Sequence, residues 1–191
     1  VSDPALSQRT VVVKKGDLLF NESRFIWADS AFFDVFSFKL VKGSTKTVLN
    51  APNQVVLTAS TAGKYFGTED PVGKIIRLED KVDYLVTGIA EDSPSNSQLQ
   101  FDFVASFSSL SAAKNETWWN ANYITYFLLR PSTSIPTFEA KIPAYMRKQS
   151  AETEMTGNNF VTYLMEPLTK VHLNSDAEGG MSAAGDITYV Y

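Results

Sequence analysis

Turn signals interrupt this chain so often that no long regular element fits between them. Apolar stretches of strand length stop at Gly16-Asp17, Lys42-Gly43, Asp70-Pro71-Val72-Gly73, Ser93-Pro94-Ser95 and Pro131-Ser132. Residues 9–14 are β-branched and read as a strand, and Leu18 to Ala28 reads as extended. Asp29 or Ser30 can cap a short helix from Ala31 to Phe36. Its Phe32, Phe33, Val35 and Phe36 leave little polar face, which predicts burial. A strand follows at Phe38 to Val41, and another at Asn53 to Leu57. Thr58 is placed to cap a helix over Ala59 to Phe66, with Gly67 as its terminating glycine.

Asp70-Pro71-Val72-Gly73 has the residue order of a type I turn. Lys74 to Leu78 and Tyr84 to Ala90 predict a hairpin across Glu79-Asp80-Lys81. Strict alternation in its second strand puts Leu85, Thr87 and Ile89 on one face and Tyr84, Val86 and Gly88 on the other. The same alternation gives Leu99, Phe101, Phe103, Ala105 and Phe107 a common face. Residues 108–117 read as a loop or short helix, and Tyr123 to Arg130 as a strand. Phe138, Ile142 and Tyr145 recur at helical spacing in a helix over 137–149, which Pro143 should kink. Phe160 to Met165 reads as a strand, 174–186 as a long loop. Strands and short helices interleave without the regular βαβ spacing of a doubly wound sheet. The fold class is α+β.

At 191 residues the chain is one large domain or two small lobes, with enough length to bury a core. Lys and Arg number 17 against 21 Asp and Glu, so the net charge is 17 − 21 = −4, and no basic face for nucleic acid is expected. Without cysteine there is no disulfide, zinc–thiolate site or thiol nucleophile, and the single histidine, His172, rules out a multi-histidine metal site within one chain. No run of 18 apolar residues exists to span a bilayer. The start at Val1-Ser2-Asp3-Pro4 has no signal-peptide pattern and reads as that of an excised fragment. Two sequons, at Asn21 and Asn115, are read as chance triplets.

A search for chemistry finds fragments of motifs. Gly67 to Gly73-Lys74 is one residue too long for a phosphate loop, and Ile75 stands where the magnesium-binding hydroxyl belongs. Ser111-Ala112-Ala113-Lys114 matches S-x-x-K, but no Ser-Asp-Asn occurs and Lys46-Thr47 is followed by Val48. His172 lacks a nucleophile elbow and reads as a structural histidine. Glu91-Asp92 or Asp80 could supply a glycosidase carboxylate pair, with Trp118 or Trp119 as a sugar platform. Asp176, Glu178 and Asp186 lack calcium-loop spacing and read as a solvated acidic loop. No residue is assigned to catalysis, to a cofactor or to a metal, which favours a binding or mechanical domain. A secreted carbohydrate-binding or carbohydrate-cleaving domain and a secreted adhesion module are the alternatives.

One set of segments carries a resemblance. It runs from Trp27-Ala28-Asp29-Ser30-Ala31-Phe32-Phe33-Asp34-Val35-Phe36 through Phe38-Lys39-Leu40-Val41-Lys42-Gly43 and Val55-Val56-Leu57-Thr58. It continues with Ala62-Gly63-Lys64-Tyr65-Phe66-Gly67, Asp70-Pro71-Val72-Gly73-Lys74 and Val86-Thr87-Gly88-Ile89-Ala90-Glu91-Asp92. Downstream come Phe101-Asp102-Phe103, Tyr126-Phe127-Leu128-Leu129, Pro167-Leu168-Thr169-Lys170-Val171-His172-Leu173 and Gly185-Asp186-Ile187. In order and spacing these resemble the MacB-like periplasmic core domain, the extracytoplasmic insert of FtsX-like ABC transporter permeases.

The resemblance implies a discontinuous porter-like βαβ lobe, 1–28 with 101–191, and an inserted sabre-like mixed α/β lobe, 29–100. A strand and helix usual in the family after the first membrane helix are not evident here. It also implies a non-catalytic domain outside the membrane, periplasmic in a Gram-negative cell, that needs no cofactor. Such a domain couples ATP-driven motion to substrates or partners by mechanotransmission. The implied partners are the protein's own transmembrane helices, a cytoplasmic ATPase domain or subunit, a second permease copy and an extracytoplasmic protein. Exposed apolar residues of the 29–100 stretch are the expected place for a partner contact.

Overall fold

The computed structural model describes residues 10–114, 124–150 and 165–168. Its first element is an antiparallel hairpin of β1 (Val11–Lys15) and β2 (Leu18–Glu22). Only Gly16-Asp17 joins the two strands, and Gly16 takes the positive φ of 57° that so short a turn demands. After β3 (Phe25–Ala28) comes α1 (Phe32–Phe36). Asp29, one of the two expected caps, accepts the Ala31 N–H at 3.0 Å. Phe32 and Phe33 are buried, while Val35 and Phe36 are half-buried. Strands β4 (Leu40–Lys42) and β5 (Gln54–Thr58) precede α2 (Ala59–Phe66), and the Thr58 hydroxyl accepts the Thr61 N–H as predicted. The hairpin of β6 (Ile75–Leu78) and β7 (Val82–Ala90) leads to β8 (Phe103–Ser106). Two 3-10 turns follow, Phe107–Ser109 and Ser111–Lys114.

These strands form one eight-stranded mixed sheet in the order β2-β1-β6-β7-β5-β8-β3, with β4 also on β7. The β5–β7 and β3–β8 pairs are parallel and the rest antiparallel. Strands β3, β5 and β8 are apolar at nearly every position because both of their faces are covered. On one face Phe25, Trp27, Val55, Leu57, Phe103 and Ala105 join Val13, Ile76, Val86 and the α2 residues Ala62, Tyr65 and Phe66. On the other, Ile26, Ala28, Val56 and Val104 meet Phe32, Phe33, Val48, Leu49 and Phe101. The sheet draws β1–β3 and β8 from the expected porter-like stretches and β4–β7 from the expected insert, so one hydrogen-bonded layer runs across both. By compactness the chain forms two units, Val1–Glu116 with Asn122–Leu128, and Thr117–Ala121 with Leu129–Tyr191.

Several local expectations are corrected. Strict alternation fails in β7 because Val55 pairs with Val86 but Val56 pairs with Gly88, leaving Thr87 as a bulge. Past it the faces invert, so Ile89 joins Tyr84 and Val86 in one core, and Leu85 is exposed. Phe101 does not share a face with Phe103. The chain bends at Asp102, where the N–H groups of Asp102 and Phe103 both donate to the Arg24 carbonyl, so Phe101 enters the opposite core. The turn at 70–73 is shifted by one residue: Lys74 N–H closes onto the Pro71 carbonyl, and Gly73, at φ 86°, donates to Val86. Residues 124–130 take no regular structure despite their composition, because β propensity acts only where a ladder and a face are offered. The expected kinked helix is two helices, α3 (Ile135–Glu139) and α4 (Ile142–Ser150). Pro143 stands in the first turn of α4, where its missing N–H costs nothing. Of the expected strand at 160–165, all but Met165 lies outside the described residues, as do 174–186 and the chain's end.

Candidate functional site

Of the carboxylates considered for sugar chemistry, Asp92 and Asp80 have structural partners and stand at opposite ends of β7. Asp92 caps α2, accepting the Ser60 N–H at 3.0 Å and its hydroxyl at 2.7 Å. Those bonds hold its carboxyl below the ordinary aspartate range. Asp80 sits at the β6–β7 turn and pairs with Lys14 at 3.0 Å. Glu91-Asp92 follow the other end of β7, roughly 30 Å away along a nine-residue strand, so they form no pair with Asp80. Ser111 and Lys114 bound a single 3-10 turn. Gly67 terminates α2, and Lys74 pairs with Glu69, as expected of a turn rather than a phosphate loop. Asn21 is exposed on β2. His172, Trp118, Trp119, Asn115, Asp176, Glu178 and Asp186 lie outside the described residues. Among the described residues, no group of three or more His, Asp or Glu side chains could hold a metal.

Two features were missed by sequence reasoning. The first is a polar cluster at the edge hairpin, in which Glu22 and Tyr65 are buried and Lys64 is exposed. Glu22 is 6% exposed, and its Oε1 accepts both the Tyr65 hydroxyl and the Lys64 ammonium at 2.6 Å. Burial first, and then the hydrogen bond to Glu22, push the Tyr65 phenol far above its ordinary range. The Lys64 ammonium also lies 4.8 Å from the Phe20 ring centroid. Period-2 reading of β2 could have found this cluster, since Leu18, Phe20 and Glu22 share a face and the last is a carboxylate. Asp102 lies close enough to feel the Glu22 charge, and burial pushes its carboxyl above the ordinary range.

The second is the bare face of the sheet's antiparallel half. Opposite the core, the strands present Leu19 and Asn21 of β2, Val12 and Lys14 of β1, Ile75 and Arg77 of β6, and Asp83 and Leu85 of β7. Leu19 is 61% exposed, Ile75 56% and Leu85 42%. Arg77 makes a two-pronged contact with Asp83 and holds its carboxyl below the ordinary range. An open depression is lined by Lys14, Gly16, Ile75, Arg77 and Asp83. Ile75 and Leu85 are cross-strand partners and belong to the stretch where partner contact was expected.

Among the described residues no helix is long and apolar enough to cross a membrane. Among curated proteins none matches. A domain described as part of a permease protein from Porphyromonas gingivalis is similar, with 25% identity and a TM-score of 0.64 over 78% of this chain and 69% of that one. The periplasmic region of MacB from Actinobacillus actinomycetemcomitans shares the fold, at 16% identity and a TM-score of 0.54 over 75% and 64%. The MacB-like periplasmic core domain family matches residues 2–145, most of the chain. The chain belongs to that family, the periplasmic domains of ABC transporter permeases.

Proposed function

We propose that this domain is non-catalytic and transmits displacement between a membrane-embedded, ATP-driven permease and a substrate or partner outside the membrane. The observation that carries this reading is the continuity of the sheet. β1, the first described element, is hydrogen-bonded between β2 and β6. A pull on the chain before it therefore enters the ladder directly. A hydrogen-bonded ladder that is continuous with a packed core moves as a body rather than stretching. The porter-like stretches, 1–28 and 101–191, and the sabre-like insert, 29–100, are then functional parts: one attached to the membrane helices, the other presenting the Ile75 and Leu85 face to an extracytoplasmic protein. The cytoplasmic ATPase and a second permease copy complete the machine.

The test is made in the whole permease. A flexible Gly-Ser insertion before β1 is expected to abolish most transport while basal ATP hydrolysis continues. Full transport with the insertion would refute mechanical coupling. Ile75→Asp with Leu85→Asp is expected to reduce transport with the fold intact, and an unchanged rate would remove that face from the mechanism.

A further inference from the structure

The outer edge of β2 is an open side of the sheet. β2 ends the strand order and pairs with β1 alone. The two-residue turn at Gly16-Asp17 makes Lys15 and Leu18 a hydrogen-bonded pair, and alternation along the ladder makes Val13 with Phe20 and Val11 with Glu22 the next ones. Lys14 with Leu19 and Val12 with Asn21 are then pairs that exchange no bond. Val12 fixes this phase independently. Its N–H donates to the Glu79 carboxylate at 2.9 Å and its carbonyl accepts the Glu79 N–H at 2.8 Å, both on the side away from β2. The amides and carbonyls of Leu19 and Asn21 therefore point outward, and among the described residues they have no partner. Leu18, Leu19 and Asn21 are all exposed. Edge strands are commonly blunted by lysine, proline or a bulge. The sequence Leu-Leu-Phe-Asn-Glu has neither lysine nor proline, and its register with β1 is unbroken.

We propose that β2 pairs antiparallel with β2 of a second copy of this chain, joining two sheets edge to edge. A strand with outward groups at two positions, two residues apart, is complementary to itself in one register. With Phe20 opposite its own counterpart, Leu19 faces the copy's Asn21, and every outward amide meets a carbonyl. Centring the pair on Leu19 or on Asn21 sets the other residue opposite a position outside β2. Charge selects the same arrangement. Asp17 precedes the strand and Arg24 follows it, both exposed and neither in an ion pair among the described residues. Glu22, between them, is already paired with Lys64. Antiparallel pairing brings Asp17 to the copy's Arg24 end, whereas parallel pairing sets like charges side by side. Five residues a side bury less than the roughly 1,200 Å² of a stable interface, so the contact is weak in dilute solution and gains from two copies held close together.

The sequence has no cysteine, so every disulfide formed is one placed by design. Leu19→Cys and Asn21→Cys are made in separate 191-residue chains. Concentrated solutions of each alone, and of the two mixed, are mildly oxidised, and the products are resolved by mass. In the proposed register the Cα atoms of position 19 and the copy's position 21 are about 5.5 Å apart, within disulfide range. Position 19 and its own counterpart are about 8 Å apart, beyond the limit of about 7 Å. The mixture is expected to form the 19-to-21 cross-link several-fold faster than either chain dimerises alone, and faster than either links to a Val72→Cys control at an exposed turn. Both substituted side chains are exposed, so the fold should survive, and a covalent trap reports even a weak complex. Asp17→Arg in both chains is expected to slow that cross-link several-fold, and adding Arg24→Asp to restore it. Equal rates in all mixtures, fastest linking of Leu19→Cys to itself, or indifference to Asp17→Arg would overturn the pairing. So would the absence of any cross-link, the result expected if another segment of the chain or a strand of an unlike protein holds this edge. The inference does not depend on the transport reading, and the measurement needs no membrane, so a negative result leaves that reading untouched.

Discussion

At Gly43 the backbone runs so close to its neighbours that a methyl group has no room. A Cβ there would stand 2.7 Å from Val48 Cγ1 and 2.9 Å from the Thr87 carbonyl oxygen, at a φ of +97°. Gly43→Ala is expected to cost about 2 kcal/mol or more, because strain and overlap add. Gly16→Ala meets open space at φ +57° and should cost about 1 kcal/mol, the left-handed penalty alone. Urea unfolding of the two variants checks the difference. Thr58 acts at the same scale. Its hydroxyl caps α2 and is buried, so Thr58→Ala is expected to cost about 1 kcal/mol in the same measurement.

Among elements, the bulge in β7 and the contact of α2 with β2 do the most to organise their surroundings. The Thr87 hydroxyl lies 2.5 Å from the Val48 carbonyl and 3.3 Å from that of Val55, so it ties the 44–50 turn to the point where β7 changes faces. Thr87→Val keeps the shape but removes the donor. A loss of about 1–2 kcal/mol is expected, since a half-buried carbonyl goes unsatisfied. The Tyr65 phenol predicts an alkaline limit. The folded state keeps its proton while the unfolded chain releases it near pH 10, so stability falls as pH rises beyond about 10. In a spectrophotometric titration, at least one of the eight tyrosines is expected to ionise only as the fold is lost. Smooth titration of all eight in a folded chain would contradict this.

For the whole molecule, the two cores share one sheet, and neither face is an accessory to the other. Phe103 is fully buried, stacked on Phe25 at 5.2 Å and edge-on to Tyr65 at 5.6 Å. Phe101, two residues earlier, meets Phe32 and Phe38 across the sheet. Phe103→Ala and Phe101→Ala are each expected to cost about 3–5 kcal/mol. Because one ladder joins the faces, each variant should also lose protection from hydrogen exchange on both sides of the sheet. Loss confined to one side would mean that the sheet does not move as a body, and would weaken the mechanical reading.

The α+β class, α2 with both of its caps, the strand before the Gly16-Asp17 turn, the β6–β7 hairpin and the segments shared with the family were all legible in the residues. Each rests on interactions within a few positions: a hydroxyl three residues from an amide, a glycine in a tight turn, an alternation over four or five residues. What the tertiary structure decided depends on partners distant in sequence. Thr87 bulges because Val55 and Val56, some thirty positions earlier, set its register. Phe101 and Phe103 part company because Arg24 offers its carbonyl to two successive amides. Residues 124–130 have strand composition without a strand, and Pro143 begins a helix instead of bending one. Asp102 is one more acid in the sequence. Only the convergence of the β2–β3 link, α2 and β8 removes enough water to raise its proton affinity, because desolvation belongs to the assembled surroundings and not to the residue.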